Sequence, residues 1–201
     1  MKALTVDFDP AVIKRELLSY HVRHGFVDAD ELLDFIEAYW RLRVPRSQVC
    51  PEHTPPAEYI VDSFFETVQN SICWANRGGG KTLLGALSTW LDTVFKSGCA
   101  TKILGGSQEQ SKRMYEHLTG EGDGWGMVTE DFRHLLRGEM LAHRTVLNNQ
   151  SNIQILTASS KSVRGAPGCL SAGSCSWVSP GPARATSLRP WVIRWAGPAS
   201  P

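Results

Sequence analysis

One glycine-rich loop, placed between two unlike residue patterns, restricts the fold of this chain more than any other feature. The short apolar run Ser71–Ala75 reads as a strand and leads directly into the loop. Residues Thr82–Lys96 follow a helical period instead, with Gly98 just past their end. A strand, a tight glycine loop and a helix in this order are typical of an α/β protein.

The loop also has the residue types that bind phosphate. Residues 75–82 fit the pattern G-x-x-x-x-G-K-[ST], except that Ala75 replaces the first glycine. Glycines let successive backbone N–H groups approach phosphate oxygens, and the following helix points its positive end at the same anion. We therefore expect a phosphate loop that binds ATP or a close relative. Its candidate residues are Arg77, Gly78, Gly79, Gly80, Lys81 and Thr82.

Three side chains of the loop have separate expected roles. Lys81 supplies a mobile charge for the β- and γ-phosphates, and Thr82 offers its hydroxyl to Mg²⁺. Arg77 is additional to the pattern. It either reaches the γ-phosphate or a neighbouring acid, or is a solvated loop arginine.

The pattern after the loop continues as alternating strand and helix. A strand is predicted at Thr101–Leu104, and a helix opens at Ser107 with Gln110 three residues on, as in a capping box. A short helix is predicted at 130–137. Arg144–Leu147 and Asn152–Ala158 then read as an antiparallel hairpin. The expected fold is thus a mostly parallel sheet with flanking crossover helices.

The region before the loop reads as helical. Residues 10–44 suggest two helices, the second with Asp28 or Asp30 as N-cap, and Pro45 closes this region. The pair only weakly resembles a DNA-binding helix-turn-helix, so plain packing is the better interpretation. A connector containing Cys50 and His53 follows, and it is too sparse in ligands to favour a zinc site. A further helix is predicted at 57–68.

Composition and charge restrict location and partners. Five scattered cysteines, a charged N-terminus and the lack of a long apolar run predict a cytoplasmic protein with no membrane segment. The residues up to Glu139 carry fifteen Lys and Arg against twenty Asp and Glu, whereas the last 62 carry six basic residues and no acid. Such asymmetry raises the question of nucleic-acid binding.

The runs WANRGGGKTLLGAL and KILGGSQEQSKRMYEHL closely resemble the large terminase subunit of tailed bacteriophages. The connector CPEHTPPAEYIVDSFF, the hairpin and the segment SSKSVRG agree with this resemblance, which spans about residues 30–168. The resemblance implies a P-loop ATPase that drives DNA into a preformed capsid in the host bacterial cytoplasm. It implies ATP and Mg²⁺ as cofactors. The implied partners are double-stranded DNA, a small terminase subunit and a portal protein.

The resemblance also implies roles for individual residues. Arg77 becomes an ATP-sensing residue, and the stretch containing Pro56, Tyr59 and Phe64 lies where terminases pack adenine. Local chemistry favours Tyr59 and Phe64 as core residues instead. Ser107 and Gln108 follow the second strand, near the edge where ligands bind in open α/β folds. Arg164 and Gly165 match a coupling segment, although Arg164 is equally well explained as an exposed loop arginine.

The chain departs from the family after that segment. Intact terminases continue with an apolar strand ending in Asp-Glu and later with a nuclease domain, whereas no acid follows Glu139 here. We therefore expect ATP binding without fast hydrolysis. Residues 169–201 contain three Trp and five Pro and show no period, which favours a frameshift near residue 166 and a disordered tail. The alternative is a basic tail that binds DNA.

The sequence thus predicts three regions: a helical N-terminal region with its connector (1–55), the front part of a P-loop ATPase domain (56–168) and an aberrant tail (169–201). Two other functions stay open. One is a different P-loop enzyme, such as a helicase or a nucleotide kinase, and the other is a non-catalytic protein that binds DNA or a partner.

Overall fold

The computed structural model describes residues 9–48, 50–68, 71, 73, 79–105, 108–141, 143–157 and 176–178. The chain separates into two compact units, Met1–Val44 and Pro45–Pro201. The sequence placed this boundary after residue 55. The connector instead belongs to the second unit, where the backbone N–H of Ala57 donates to the carbonyl of Pro45 at 3.1 Å.

The first unit begins with α1, Pro10–His24. Asp9 caps it by accepting a hydrogen bond from the backbone N–H of Ala11 at 2.9 Å, and proline suits the first helical position because its missing N–H is not needed there. The helix ends at Gly25, whose φ of 72° lies in the left-handed region that glycine tolerates.

The second helix of this unit is α2, Ala29–Trp40. Asp28, rather than Asp30, is its N-cap, and its carboxylate accepts from the backbone N–H of Glu31 at 2.9 Å. The Glu31 carboxylate in turn accepts from Val27 N–H at 2.6 Å, so the two side chains cap this end together. The predicted helical pair is confirmed.

Aromatic rings hold the two helices together. His21 is 4 % exposed and stacks on Phe26 with ring centroids 4.3 Å apart, and Phe35 meets both rings edge-on. These contacts are the packing that the sequence favoured over a DNA-reading role. The buried aromatic side chains of α2 are Phe35, Tyr39 and Trp40.

Two helices flank the predicted phosphate loop in the second unit. α3 spans Pro56–Phe65, and α4 spans Lys81–Phe95, one residue earlier than predicted. The buried hydroxyls of Ser63 and Ser88 join the two helices at 2.7 Å. Apolar side chains of α4 form the centre of this unit: Ala86, Leu87, Trp90, Leu91 and Val94.

The described strands form one sheet in the order β2-β3-β1-β4. The strands are β1 (Ala100–Gly105), β2 (Arg144–Val146), β3 (Asn152–Thr157) and β4 (Ser176–Val178). β1 and β3 are parallel, with Ala100 opposite Asn152. β2 and β3 are antiparallel, which confirms the predicted hairpin.

The sheet differs from the prediction in two respects. β4 pairs antiparallel with β1, so the described strands form a mixed sheet rather than a mostly parallel one. β4 also lies within 169–201, where no strand was expected, because its three residues pair only with a distant strand and have no local period. Of the predicted strand 71–75, Ser71 and Cys73 are described and lie outside any strand.

The crossover from β1 to β3 begins with α5, Gln108–Thr119, which packs against both strands. The Ser111 hydroxyl donates to the carbonyl of Leu156 in β3 at 3.0 Å. The predicted helix at 130–137 is a 3₁₀ helix at Glu130–Leu135, whose Phe132 ring meets Trp90 of α4 edge-on at 5.3 Å. The crossover therefore connects the sheet to α4.

A glycine-rich loop between α5 and the 3₁₀ helix approaches α5 closely. A Cβ on Gly124 would lie 1.9 Å from the carbonyl oxygen of Glu116, so only glycine fits at this position. After this loop the backbone returns to the end of α5, where the Met127 N–H donates to the His117 carbonyl at 3.0 Å.

Candidate phosphate-binding site

Gly80 begins α4 with a backbone that favours glycine. It has φ 74° and ψ 8°, and its carbonyl accepts the first helical bond from Leu84 N–H at 2.9 Å. A side chain is strained in this left-handed region. No described atom lies within 4 Å of a Cβ built on Gly80, so the space beside the helix end is open to a ligand among the described residues.

The N-terminal end of α4 differs from those of α1 and α2. Asp9 and Asp28 cap those two helices, whereas no side chain among the described residues caps α4. The first N–H groups of a helix have no partner within the helix, and the helix dipole adds positive potential at this end. An anion can therefore take the place of the capping side chain.

Lys81 and Thr82 occupy the first turn beside Gly80. Lys81 is exposed and Thr82 is half-buried. Burial raises the pKa of the Cys73 thiol above its ordinary value, and the positive charge of Lys81 acts in the opposite direction. The Lys81 charge is therefore close enough to Cys73 to affect its thiol.

The residues present fit a Mg-phosphate ligand in part. Backbone N–H groups, the Lys81 ammonium and the Thr82 hydroxyl suit phosphate oxygens and one Mg²⁺ position. Among the described residues, no group of three His, Cys, Asp or Glu side chains is placed to hold a metal ion.

Several predicted site residues lie outside the described residues. They are Arg77 and Gly78 of the loop, Ser107 before α5, and the coupling pair Arg164 and Gly165. Gly79 is described and exposed beside Gly80. The described part of the site is therefore the end of the loop and the first turn of α4.

The three candidate adenine contacts lie on α3. Pro56 occupies its first position, and Tyr59 and Phe64 are only 5 % and 8 % exposed. The Lys96 ammonium lies 5.1 Å from the centroid of the Phe64 ring. These surroundings support the core interpretation of Tyr59 and Phe64 that local chemistry favoured.

The opposite end of α4 is bound by the turn of the β2–β3 hairpin. The Asn149 side-chain amide donates to the carbonyls of Thr93 at 2.9 Å, Val94 at 3.1 Å and Lys96 at 3.3 Å. The Asn149 backbone carbonyl accepts from Gly98 N–H at 3.0 Å. The last carbonyls of a helix have no partner within the helix, and Asn149 supplies one for those of Thr93 and Val94.

Ser151 completes this contact, which we call the C-terminal clasp (Asn149 and Ser151 with residues 93–99). The Ser151 hydroxyl donates to the Lys96 carbonyl at 2.7 Å and accepts from Cys99 N–H at 3.0 Å. The Ser151 N–H donates to the Asn149 side-chain oxygen at 3.0 Å. The C-terminal end of α4 is thus capped by residues that lie more than fifty positions later in the sequence.

An ionic group of one buried and two half-buried side chains lies at the same end. The Lys96 ammonium is 2.8 Å from the buried Asp92 and 3.0 Å from Glu66, the C-cap residue of α3. Burial raises the pKa of Asp92 to about 6, with Lys96 opposing this shift and Glu66 adding to it. Burial acts to lower the pKa of Lys96, but the two carboxylates outweigh it and the pKa is raised.

No protein-family model and no curated protein matches this chain. The terminase expectation therefore depends on the resemblance of its residue runs. None of the helices formed by the described residues has both the length and the apolar character that crossing a membrane requires.

Sequence reasoning missed the clasp and the ionic group. Asn149 and Ser151 have the composition of an ordinary turn, and Lys96 has that of an ordinary helix end. The only signal in the sequence was a lysine four residues after Asp92 on a predicted helix, a spacing that permits an ion pair.

Proposed function

We propose that the N-terminal end of α4 binds the phosphates of Mg-ATP. The observation that carries this proposal is Gly80: it starts the helix in a glycine-favouring conformation, with open space beside it and no capping side chain among the described residues. Lys81 and Thr82 follow in the first turn, in the order that the G-K-[ST] pattern requires.

Each residue of this end has a defined task. The backbone N–H groups of the first turn orient the β-phosphate, and the Lys81 ammonium neutralises charge on the β- and γ-phosphates. The Thr82 hydroxyl occupies one coordination position of Mg²⁺. When bound, Mg²⁺ supplies the remaining positive charge that phosphoryl transfer requires.

Within this class we propose the ATP-binding motor part of a phage or prophage terminase large subunit. The support is the resemblance over about residues 30–168, together with the mixed α/β fold and the hairpin in the expected place. Double-stranded DNA, a small terminase subunit and a portal protein are the partners that this proposal implies.

Hydrolysis by this chain should be slow. Residues 140–201 contain no Asp or Glu, so they offer no carboxylate to hold Mg²⁺ or to orient the attacking water. Binding depends on the loop and on α4, and it does not need those acids.

A titration of the full chain with a fluorescent ATP analogue and Mg²⁺, run beside a phosphate-release assay, tests both statements. We expect saturable binding that unlabelled ATP displaces, with turnover near background. A folded chain that shows no saturable binding would remove the phosphate site. Steady turnover would show that an acid at or before Glu139, or one from another subunit, completes the site.

A further inference from the structure

The C-terminal clasp binds the end of α4 that lies farthest from the phosphate site. α4 has 15 residues and is therefore about 22 Å long. Two carbonyls of its last turn and that of the C-cap residue Lys96 accept hydrogen bonds from one side chain, Asn149, which is itself part of the β2–β3 turn. The direction of the helix axis is thus tied to the hairpin.

We propose that Asn149 is a positioning residue for nucleotide binding: it fixes the axis of α4, and so the place of Lys81 and Thr82, without touching the nucleotide. This inference rests on the proposed function of the site. It adds a residue that neither the glycine loop nor the spacing of the sequence indicates.

The bonding pattern of Asn149 gives its side chain one orientation. The amide nitrogen faces three carbonyls, which only accept, and the amide oxygen faces the N–H of Ser151, which only donates. The reverse orientation would lose all four bonds. Asn149 therefore holds the helix end in a defined direction rather than merely filling space.

The other contacts of α4 are less directional. Leu87, Trp90 and Leu91 are buried by apolar packing, which is favourable over a range of small tilts. One hydroxyl pair, Ser63 with Ser88, joins the middle of α4 to α3. The clasp thus contributes most of the described hydrogen bonds that define where the helix points.

A small tilt at the clasp becomes a large displacement at the phosphate site. Over a helix of about 22 Å, a rotation of about 3° about the clasped end moves the other end by about 1 Å. Hydrogen bonds to phosphate weaken steeply over such a distance. Nucleotide affinity should therefore depend on Asn149, although the residue is remote.

The test is the Mg-ATP dissociation constant of the full chain carrying Asn149→Ala, measured on protein shown to be folded by circular dichroism. We expect affinity to weaken by at least about fivefold. Asn148→Ala is the matched control, because the Asn148 amide belongs to the same turn but donates to the His134 carbonyl at 2.9 Å, away from the carbonyls of α4 that Asn149 binds. Its affinity should stay within about twofold of wild type.

Ser151→Ala provides a second, milder variant if Asn149→Ala does not fold. It removes the bonds to the Lys96 carbonyl and to Cys99 N–H, and it should weaken binding in the same direction. Folded Asn149 or Ser151 variants that bind Mg-ATP as wild type does would overturn the inference and leave the proposed function intact. A wild-type chain that does not bind Mg-ATP would end both.

Discussion

The two ends of α4 are built in opposite ways. At the C-terminal end, Asn149 and Ser151 bind the carbonyls of Thr93, Val94 and Lys96, and the Lys96 ammonium pairs with Asp92 and Glu66. At the N-terminal end, no described atom lies within 4 Å of a Cβ built on Gly80, and no described side chain caps the helix.

The bonded end of α4 contributes to the stability of the helix, whereas the uncapped end leaves backbone N–H groups for a ligand. A capping side chain at the N-terminal end would stabilise the helix but would occupy the N–H groups that an anion needs. The same chain caps α1 and α2 with Asp9 and Asp28, whereas α3 and α4 begin without a side-chain cap among the described residues. α3 begins with proline, which lacks one of the N–H groups that a cap would bind, so α4 keeps more N–H groups for an anion.

The largest expected effect concerns Asp92 at the closed end. The pKa of Asp92 in the folded protein is about 6, above its ordinary value of 3.8. The stability that this group contributes is therefore fully present below about pH 4 and is lost as the pH rises through 6. Over about two pKa units the loss is about 3 kcal/mol.

Asp92→Asn removes this titration. Urea unfolding of both proteins between pH 4 and pH 7 should show the stability of wild type, relative to the variant, falling by that amount as the pH rises. The difference should persist at high salt, because buried charges are screened weakly. Parallel profiles for the two proteins would show that Asp92 does not titrate in this range.

The next largest effect is at the open end. Lys81→Ala removes the charge that faces the β- and γ-phosphates, and the loss of a charge-assisted bond costs about 1.5–3 kcal/mol, or roughly ten- to hundredfold in affinity. Lys112→Ala, which removes an exposed lysine from α5, is the control. Equal affinity of both variants, measured by the same titration, would place the phosphates elsewhere.

Substituting one glycine near each end of α4 compares the two ends directly. Gly80 and Gly98 have φ values of 74° and 72°, and at neither does a described atom lie within 4 Å of an added Cβ. Changing either to Ala should cost about 1–2 kcal/mol of stability, because both conformations are left-handed. Gly80→Ala should weaken Mg-ATP binding directly at the phosphate site, whereas Gly98→Ala acts only through the C-terminal clasp and should weaken it less. Equal losses from the two changes would contradict the contrast.

The smallest effect concerns a helix that is capped. Asp28→Ala removes the carboxylate that accepts from Glu31 N–H, and the loss of such a cap costs about 1 kcal/mol. Faster amide exchange in α2, with unchanged Mg-ATP affinity, is the expected outcome. Unchanged exchange would mean that capping contributes little to these helices, and the contrast with α4 would lose its meaning.

The sequence predicted the elements with strong local patterns. α4 begins within one residue of its predicted start because apolar side chains recur at helical spacing, and the hairpin around Asn148–Ser151 follows from turn residues between two apolar runs. The short helix predicted at 130–137 is present as a 3₁₀ helix at Glu130–Leu135, a type that so short a pattern could not specify.

The features that sequence could not predict all join distant residues. β4 pairs with β1 across more than seventy residues, and Asn149 contacts carbonyls 53 to 56 positions earlier. The same is true of the site. The glycine, lysine and threonine of the loop could be predicted from a short stretch of sequence, whereas no short stretch indicated the residues that hold α4 in place.

The parallel pairing of β1 with β3 also sets an order of events during synthesis. Ala100 pairs with Asn152, so neither the sheet nor the clasp can form until some fifty further residues have been added to the chain. At about 5–20 residues per second, this interval lasts about 3–10 s. During that time the nascent chain carries the complete glycine–lysine–threonine loop on a helix whose far end lacks the bonds of Asn149 and Ser151. A ribosome that stalls before codon 149 therefore leaves a chain with the binding residues but without the support that positions them.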